Sequence, residues 1–402
     1  MSQFPPLSPP PFRTQNDRQF WGSLHGAGAA LAILSAARTH SAPTLLIARN
    51  SQEAHQLELQ LKFFNKSRRD GSDEVKAGSQ AGELEIFQFP DWEILPYDTF
   101  SPHQDIISDR LATLYRLPQM ERGIVIVPVS TLLHRLPPQD YVAGNALILK
   151  EGQKFDPNTQ RKLLEQAGYH CVDTVYEHGE FAVRGSLMDI YPMGSSLPYR
   201  IDLFDDEIET LRTFDPESQR TVDQVDQIHL LPAREFPMHK PALAKFLERW
   251  HEAFDCDPGP VSIYQDISAG IAPAGIEYYL PLFFEQCANL FDYLPDGSCI
   301  FAQGDLTQPV ESFWREADNR YQSRRGDLTR PILAPRQVLL QVDEFFGALK
   351  NHPRAFFSPE SLPEAEGNYN FATQAPPSLP VDGKADQPLK ALEAYLMEYQ
   401  GR

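Results

Sequence analysis

Residues Glu177–Phe214 read EHGEFAVRGSLMDIYPMGSSLPYRIDLFDDEIETLRTF. Successive side chains of a strand face opposite sides of its sheet, so Tyr199, Ile201 and Leu203 share one face and Arg200, Asp202 and Phe204 the other. The first set is a core face. The second carries an arginine and a phenylalanine that a core does not claim, a combination that suggests a docking surface more than a catalytic site. Turn signals at Glu177-His178-Gly179, Gly194-Ser195-Ser196 and Asp205-Asp206 divide Cys171–Phe214 into consecutive short strands. Just upstream, a strand at Ala146–Leu149 leads to a helix started by Asp156-Pro157 and stopped by Gly168. Together these elements describe a small α+β module.

Before this module lie three short apolar runs, Thr44–Ala48 (TLLIA), Leu84–Phe87 (LEIF) and Ile124–Val127 (IVIV), separated by helical patterns such as Ser51–Phe64. Apolar strands alternating with helices predict a parallel sheet covered on both faces. Ser101-Pro102-His103-Gln104 reads as a helix start, with Ser101 as the cap and Gln104 closing a capping box. Ile107, Leu111, Leu114 and Tyr115 then share one apolar face. After Leu230 helical patterns return at Pro241–Phe254, within Ile276–Leu290 and at Glu311–Arg324. The strands Cys299–Ala302 and Ala355–Phe357 lie among them and could complete the first sheet. Pro5–Phe12 reads as extended or disordered, Lys66–Gln80 as a polar flexible insertion, and Pro359–Pro388 as a linker. Pro388–Gln400 is a lone amphipathic helix, which suggests a chain cut from something longer.

A chain of 402 residues fits two or three domains. Its formal net charge of -19 argues against a broad electrostatic grip on DNA and fits a cytosolic protein. Cys171, Cys256, Cys287 and Cys299 show no paired spacing, so they read as reduced thiols, with no structural zinc expected. Ala27–Ala37 is too short to span a bilayer and reads as a buried helix. No membrane association is expected.

Five candidate sites can be weighed against plainer roles. In His25-Gly26-Ala27-Gly28-Ala29-Ala30, a phosphate loop would need a lysine and a Ser or Thr where Ala29 and Ala30 stand. The segment therefore reads as a closely packed helix start, with Gly26, Gly28, Ala29 and Ala30 as a non-functional remnant. His103 and Asp105 could suggest a metal, yet capping explains that stretch, and no metal is expected. Glu177, His178 and Glu180 read as a solvated turn, and Asp205, Asp206, Glu207 and Glu209 as a solvated hairpin end. For Arg184, Arg200 and Phe204 the pattern leaves two readings open, an ordinary wet surface or a docking face.

Several long motifs carry a resemblance. Phe181–Pro192 (FAVRGSLMDIYP), Tyr199–Phe214 (YRIDLFDDEIETLRTF), Phe89–Thr99, Ile124–Leu133 and Ala274–Tyr279 (AGIEYY) resemble the UvrB family of nucleotide excision repair. Trp92–Ser108 (WEILPYDTFSPHQDIIS) is especially similar to the N-terminal, UvrB-like module of the bacterial transcription-repair coupling factor (Mfd) family. The resemblance implies an α/β fold with a degenerate RecA/helicase-like parallel sheet made of two chain segments, 1–143 and 233–358. A smaller α+β UvrA-binding domain, 144–232, is inserted between them, and a linker and the start of another domain occupy 359–402. It further implies UvrA as the partner, met through Arg184, Arg200 and Phe204. Against UvrB, the phosphate loop is degenerate and Tyr97–Arg110 holds no long DNA-threading hairpin. No ATP or other cofactor is therefore expected, and no catalysis by this chain. RNA polymerase and DNA would be met by other regions of a parent ATP-dependent translocase. The alternatives are a UvrB-like damage-binding or helicase enzyme, or an autoinhibitory module.

Overall fold

The computed structural model describes residues 3–66, 83–375, 377–381 and 387–400. The insertion expected at Lys66–Gln80 lies outside them except for Lys66 and receives no structural account. The first chain segment supplies strands β1 (Arg18–Gly22), β2 (Thr44–Ala48), β3 (Glu85–Gln88) and β4 (Gly123–Pro128). It also supplies helices α1 (Gly28–Thr39), α2 (Ser51–Lys66) and α3 (Gln104–Arg116). The middle segment supplies β5 (Leu147–Lys150), β6 (His170–Cys171), β7 (Glu180–Arg184), β8 (Leu187–Ile190), β9 (Tyr199–Phe204), β10 (Glu207–Phe214), β11 (Thr221–Gln224) and β12 (Gln227–Leu230). The last segment returns with β13 (Cys299–Gln303), β14 (Arg354–Phe357) and β15 (Asn368–Asn370).

Two chain segments build one seven-stranded parallel sheet in the order β15-β1-β14-β13-β2-β4-β3. Every residue of β2 and β4 is buried, as central strands covered on both faces require. One face packs on α1 and α2 through Ala30, Ile33, Leu34, Leu57 and Leu61. The other packs on α3 and the helix Thr307–Arg324 through Ile107, Leu111, Leu114, Val310 and Ala317. The inserted segment forms a six-stranded sheet, β11-β10-β9-β8-β7-β6, antiparallel except for the β6–β7 pair. β5 and β12 form a two-stranded ribbon beside it.

The helix expected after Asp156 spans Pro157–Gln166, and the Asp156 carboxylate accepts from the Asn158 and Thr159 amides at 3.2 Å. Three expectations need correction. Ser101 does not cap α3. His103 does, its ring accepting from the Asp105 amide at 3.3 Å, because Ser101 is drawn away to Glu277 and Gly275. Residues 359–388 are not wholly linker, since β15 pairs with β1 and Phe371 is fully buried. That strand is short and polar (Asn-Tyr-Asn), and the Asn370 side chain, not an apolar run, ties it to Leu362 at 2.8 and 2.9 Å. Pro5–Phe12 is tied at both ends, with Phe4 bridging to Phe371 and the Phe12 ring 5.7 Å from Phe301.

One apolar core joins the parallel sheet to the inserted one, since Ile107 and Leu111 cluster with Phe181, Ile190, Ile201 and Leu211. At that junction Arg110 Nε lies 2.6 Å from Glu235 Oε1, and both side chains are almost fully buried. The Arg110 guanidinium also stands 4.4 Å from the Phe89 ring centre and donates to the Pro90 carbonyl at 2.9 Å. Ser108 accepts from the Gly194 amide at 2.8 Å, adding a second tie between α3 and the inserted module.

Glu277 lines the same junction, and burial pushes its carboxyl up to about 7 despite a 2.9 Å hydrogen bond from Ser101. The unfolded chain then releases this proton first, so Glu277 makes stability fall as pH rises from about 4.5 to about 7. Urea unfolding at pH 5 and pH 8 should show Glu277→Gln losing less stability between the two than the parent does. Equal losses in both proteins would refute the assignment.

Candidate docking site

The register of the inserted sheet decides what its two faces do. Met188, Ile201 and Leu211 lie side by side across β8, β9 and β10 and are buried on the inner face. Asp189, Arg200 and Arg212 are the next set across the same strands and therefore lie on the other face, with Ala182 beside Asp189. This second face is not simply wet. Ala182, Val175, Tyr191 and Phe214 form a small buried cluster there.

Arg200 sits on that cluster, its guanidinium 4.7 Å from the Phe214 ring centre. Its Nε and Nη2 grip the two Asp189 carboxylate oxygens at 2.7 and 3.0 Å, and Nη1 donates to the Gln219 carbonyl at 3.3 Å. Arg184 Nη2 pairs with the same carboxylate from β7. Asp189 is itself only 1% exposed. The expected residues are thus brought together, but in unequal states, with the Arg184 side chain 47% exposed and that of Arg200 17%. Phe204 stands at the far end of the same face, 73% exposed, where Asp205 adopts a φ of 59° and starts the two-residue turn into β10. An aspartate tolerates that left-handed conformation better than most residues. Between Arg200 and Phe204, Asp202 accepts from Thr210 at 2.7 Å and pairs with Arg212.

Chemically, this arrangement can serve recognition. A bidentate guanidinium–carboxylate pair fixes direction, a half-exposed arginine keeps donors for an outside acceptor, and an exposed ring offers apolar area. Among the described residues no group of three His, Cys, Asp or Glu could hold a metal ion. His103 and Asp105, weighed as ligands, are 3.4 Å apart, and Asp105 is 2.7 Å from His178. Glu177, His178 and Glu180 build a turn. Glu180 accepts from the Tyr176 and Glu177 amides at 2.7 and 2.9 Å, and the His178 ring meets the Ser195 carbonyl at 2.8 Å. Asp205, Asp206, Glu207 and Glu209 are exposed at the hairpin end.

The glycine-rich segment joins β1 to α1, the position a phosphate loop would take. Its groups are spoken for by the chain itself. The His25 amide donates to Thr373 Oγ1 at 2.9 Å, Ser23 N to the Glu360 carbonyl at 2.8 Å, and Leu24 N to the Ser358 carbonyl at 3.0 Å. Ala29 and Ala30 are buried in the core, and a Cβ on Gly28 would come within 2.9 Å of Thr373 Cγ2. The lysine and the Ser or Thr of a phosphate loop are replaced here by Ala29 and Ala30, and Thr373 lies against Gly28.

Reading the sequence missed Asp189, Phe214 and Gln219. The parity that put Arg200 outward also puts Asp189 outward, so the signal was present once β8 and β9 were paired. Phe214 follows the same parity, two residues after Arg212, but an aromatic at that position reads equally well as an inward core residue.

Residues 147–236 match the family model of the UvrB interaction domain, which takes in β5 to β12 and hence Arg184, Asp189, Arg200 and Phe204. Over 386 residues the chain is 44% identical to the transcription-repair-coupling factor of Escherichia coli (strain K12), covering 96% of this chain and 32% of that protein. This chain belongs to the transcription-repair-coupling factor family. Another member, from Haemophilus influenzae, is 38% identical over 387 residues, again 96% of this chain and 32% of the relative. The factor from Bacillus subtilis is 27% identical over 229 residues, 54% of this chain and 20% of the relative. The chain thus spans about a third of the length of the first two factors.

Proposed function

We propose that this chain captures UvrA for nucleotide excision repair at stalled transcription complexes, as a protein-binding module with no catalysis of its own. The observation that carries the reading is Phe204, 73% exposed at the tip of an otherwise well-packed hairpin inside the matched UvrB interaction domain. An exposed aromatic on the same sheet face as a half-exposed arginine is the composition of an interface anchor. Among the described residues no helix is long and apolar enough to cross a membrane, which suits a partner in the bacterial cytoplasm. RNA polymerase and DNA would be partners of the portions of such factors that this chain does not cover.

The direct test is capture of purified UvrA by the purified chain. No retention of UvrA at micromolar concentration would refute the proposal. The non-catalytic part has its own test. Titration of ATP into the chain in a calorimeter should give no binding heat, because Thr373 lies over the loop and Ala29 and Ala30 replace the needed side chains. Micromolar ATP binding would favour a nucleotide-driven enzyme instead.

A further inference from the structure

We infer that Asp189 is the positioning residue of the docking face, holding Arg184 toward the partner while Arg200 is consumed internally as its buttress. The inference rests on the proposed UvrA-binding reading and assigns unequal roles within that site. Asp189 stands midway between the two arginines, its strand β8 lying between β7 and β9. It is buried, and both of its oxygens are engaged by Arg200 at 2.7 and 3.0 Å. The third contact of Arg200, to the Gln219 carbonyl at 3.3 Å, and its seat on Phe214 leave that guanidinium little to offer a partner. Arg184 touches Asp189 through Nη2 only and keeps its remaining donors in solvent, with 47% of the side chain exposed. A guanidinium already held in place loses less freedom when a partner carboxylate or carbonyl arrives.

Two accounts of the arginines predict opposite outcomes. If the face attracts UvrA simply by positive charge, neutralising Asp189 raises the local charge and strengthens binding. If Asp189 positions Arg184, the same change weakens binding in spite of the added charge. The experiment measures UvrA affinity by calorimetry for the parent chain, Asp189→Asn, Arg184→Ala and the double variant, with a thermal melt of each. The expected result is at least a tenfold weaker affinity for Asp189→Asn, and less than a twofold further loss when Arg184→Ala is added to it. Unchanged or tighter binding by folded Asp189→Asn overturns the inference, as does full additivity in the cycle. Should Asp189→Asn melt before the measurement, Asp189→Glu keeps the charge while displacing both guanidinium groups. Affinity at the parental level in Asp189→Glu likewise overturns the inference. Failure of the parent chain to bind UvrA would instead strike the functional reading beneath it.

Discussion

Phe204→Ala is expected to abolish UvrA capture while leaving the chain as stable as before. The ring is 73% exposed, so the folded chain gains little from it and the loss on truncation should stay within about 0.5 kcal/mol. A buried interface anchor, in contrast, typically costs about 2 kcal/mol or more when truncated, roughly a thirtyfold loss of affinity. The separation between those two effects makes this the cleanest substitution on the face. Affinity by calorimetry and the urea midpoint, measured on the same preparation, check both halves. A folded Phe204→Ala chain that holds UvrA with parental affinity would remove the hairpin tip from the interface. Arg200→Ala is a poorer probe, because it also strips Asp189 of its bidentate partner and unseats the Phe214 cluster. Loss of binding there would mix a damaged sheet with a missing contact.

The largest effect on stability is expected from Glu235→Ala. Arg110 is 0% exposed, and removing its carboxylate partner leaves a guanidinium in the core with only a backbone carbonyl and two ring faces. Breaking a buried pair from one side typically costs about 3–5 kcal/mol, a large share of the total stability of a domain. The pair is not a net source of stability by that reasoning. Arg110→Met combined with Glu235→Leu should recover most of the loss, because both charges then leave together. Chemical unfolding of the single and double variants decides it. A single-variant cost below about 1 kcal/mol would mean that water reaches the junction and the pair is effectively solvated.

What the sequence discloses here follows the physical form of each signal. The central strands β2 and β4 are legible because both faces are covered, so every residue is apolar. β15 is not, since an edge strand needs no such run and this one is held by an asparagine side chain. On the docking face, alternation finds Arg200 and Phe204 as outward residues but says nothing of their state. Burial of Arg200 depends on Asp189 across the strand pair and on Phe214 and Gln219 from further along the chain, contacts fixed only by register and tertiary packing. The resemblance to UvrB pointed to the module and to the partner proposed for it. It did not reveal that one of the two arginines is already spent. Ser101 shows the opposite failure, a sound local rule overridden because Glu277, 176 positions along the chain, competes for the hydroxyl.

β1 sits between β14 and β15 in the parallel sheet. In synthesis, then, β1 waits for strands made more than 300 residues later. Residues 18–22 leave the ribosome with no neighbour to pair with until residues 354–370 have followed. The inserted module, whose strands are all drawn from 147–230, can meanwhile complete its own sheet. At about 5–20 residues per second, that leaves Trp21 without its β14 neighbours for roughly 17 seconds or more. The face proposed to capture UvrA is then assembled well before the body that carries it, and nascent chains are expected to compete with finished ones for that partner.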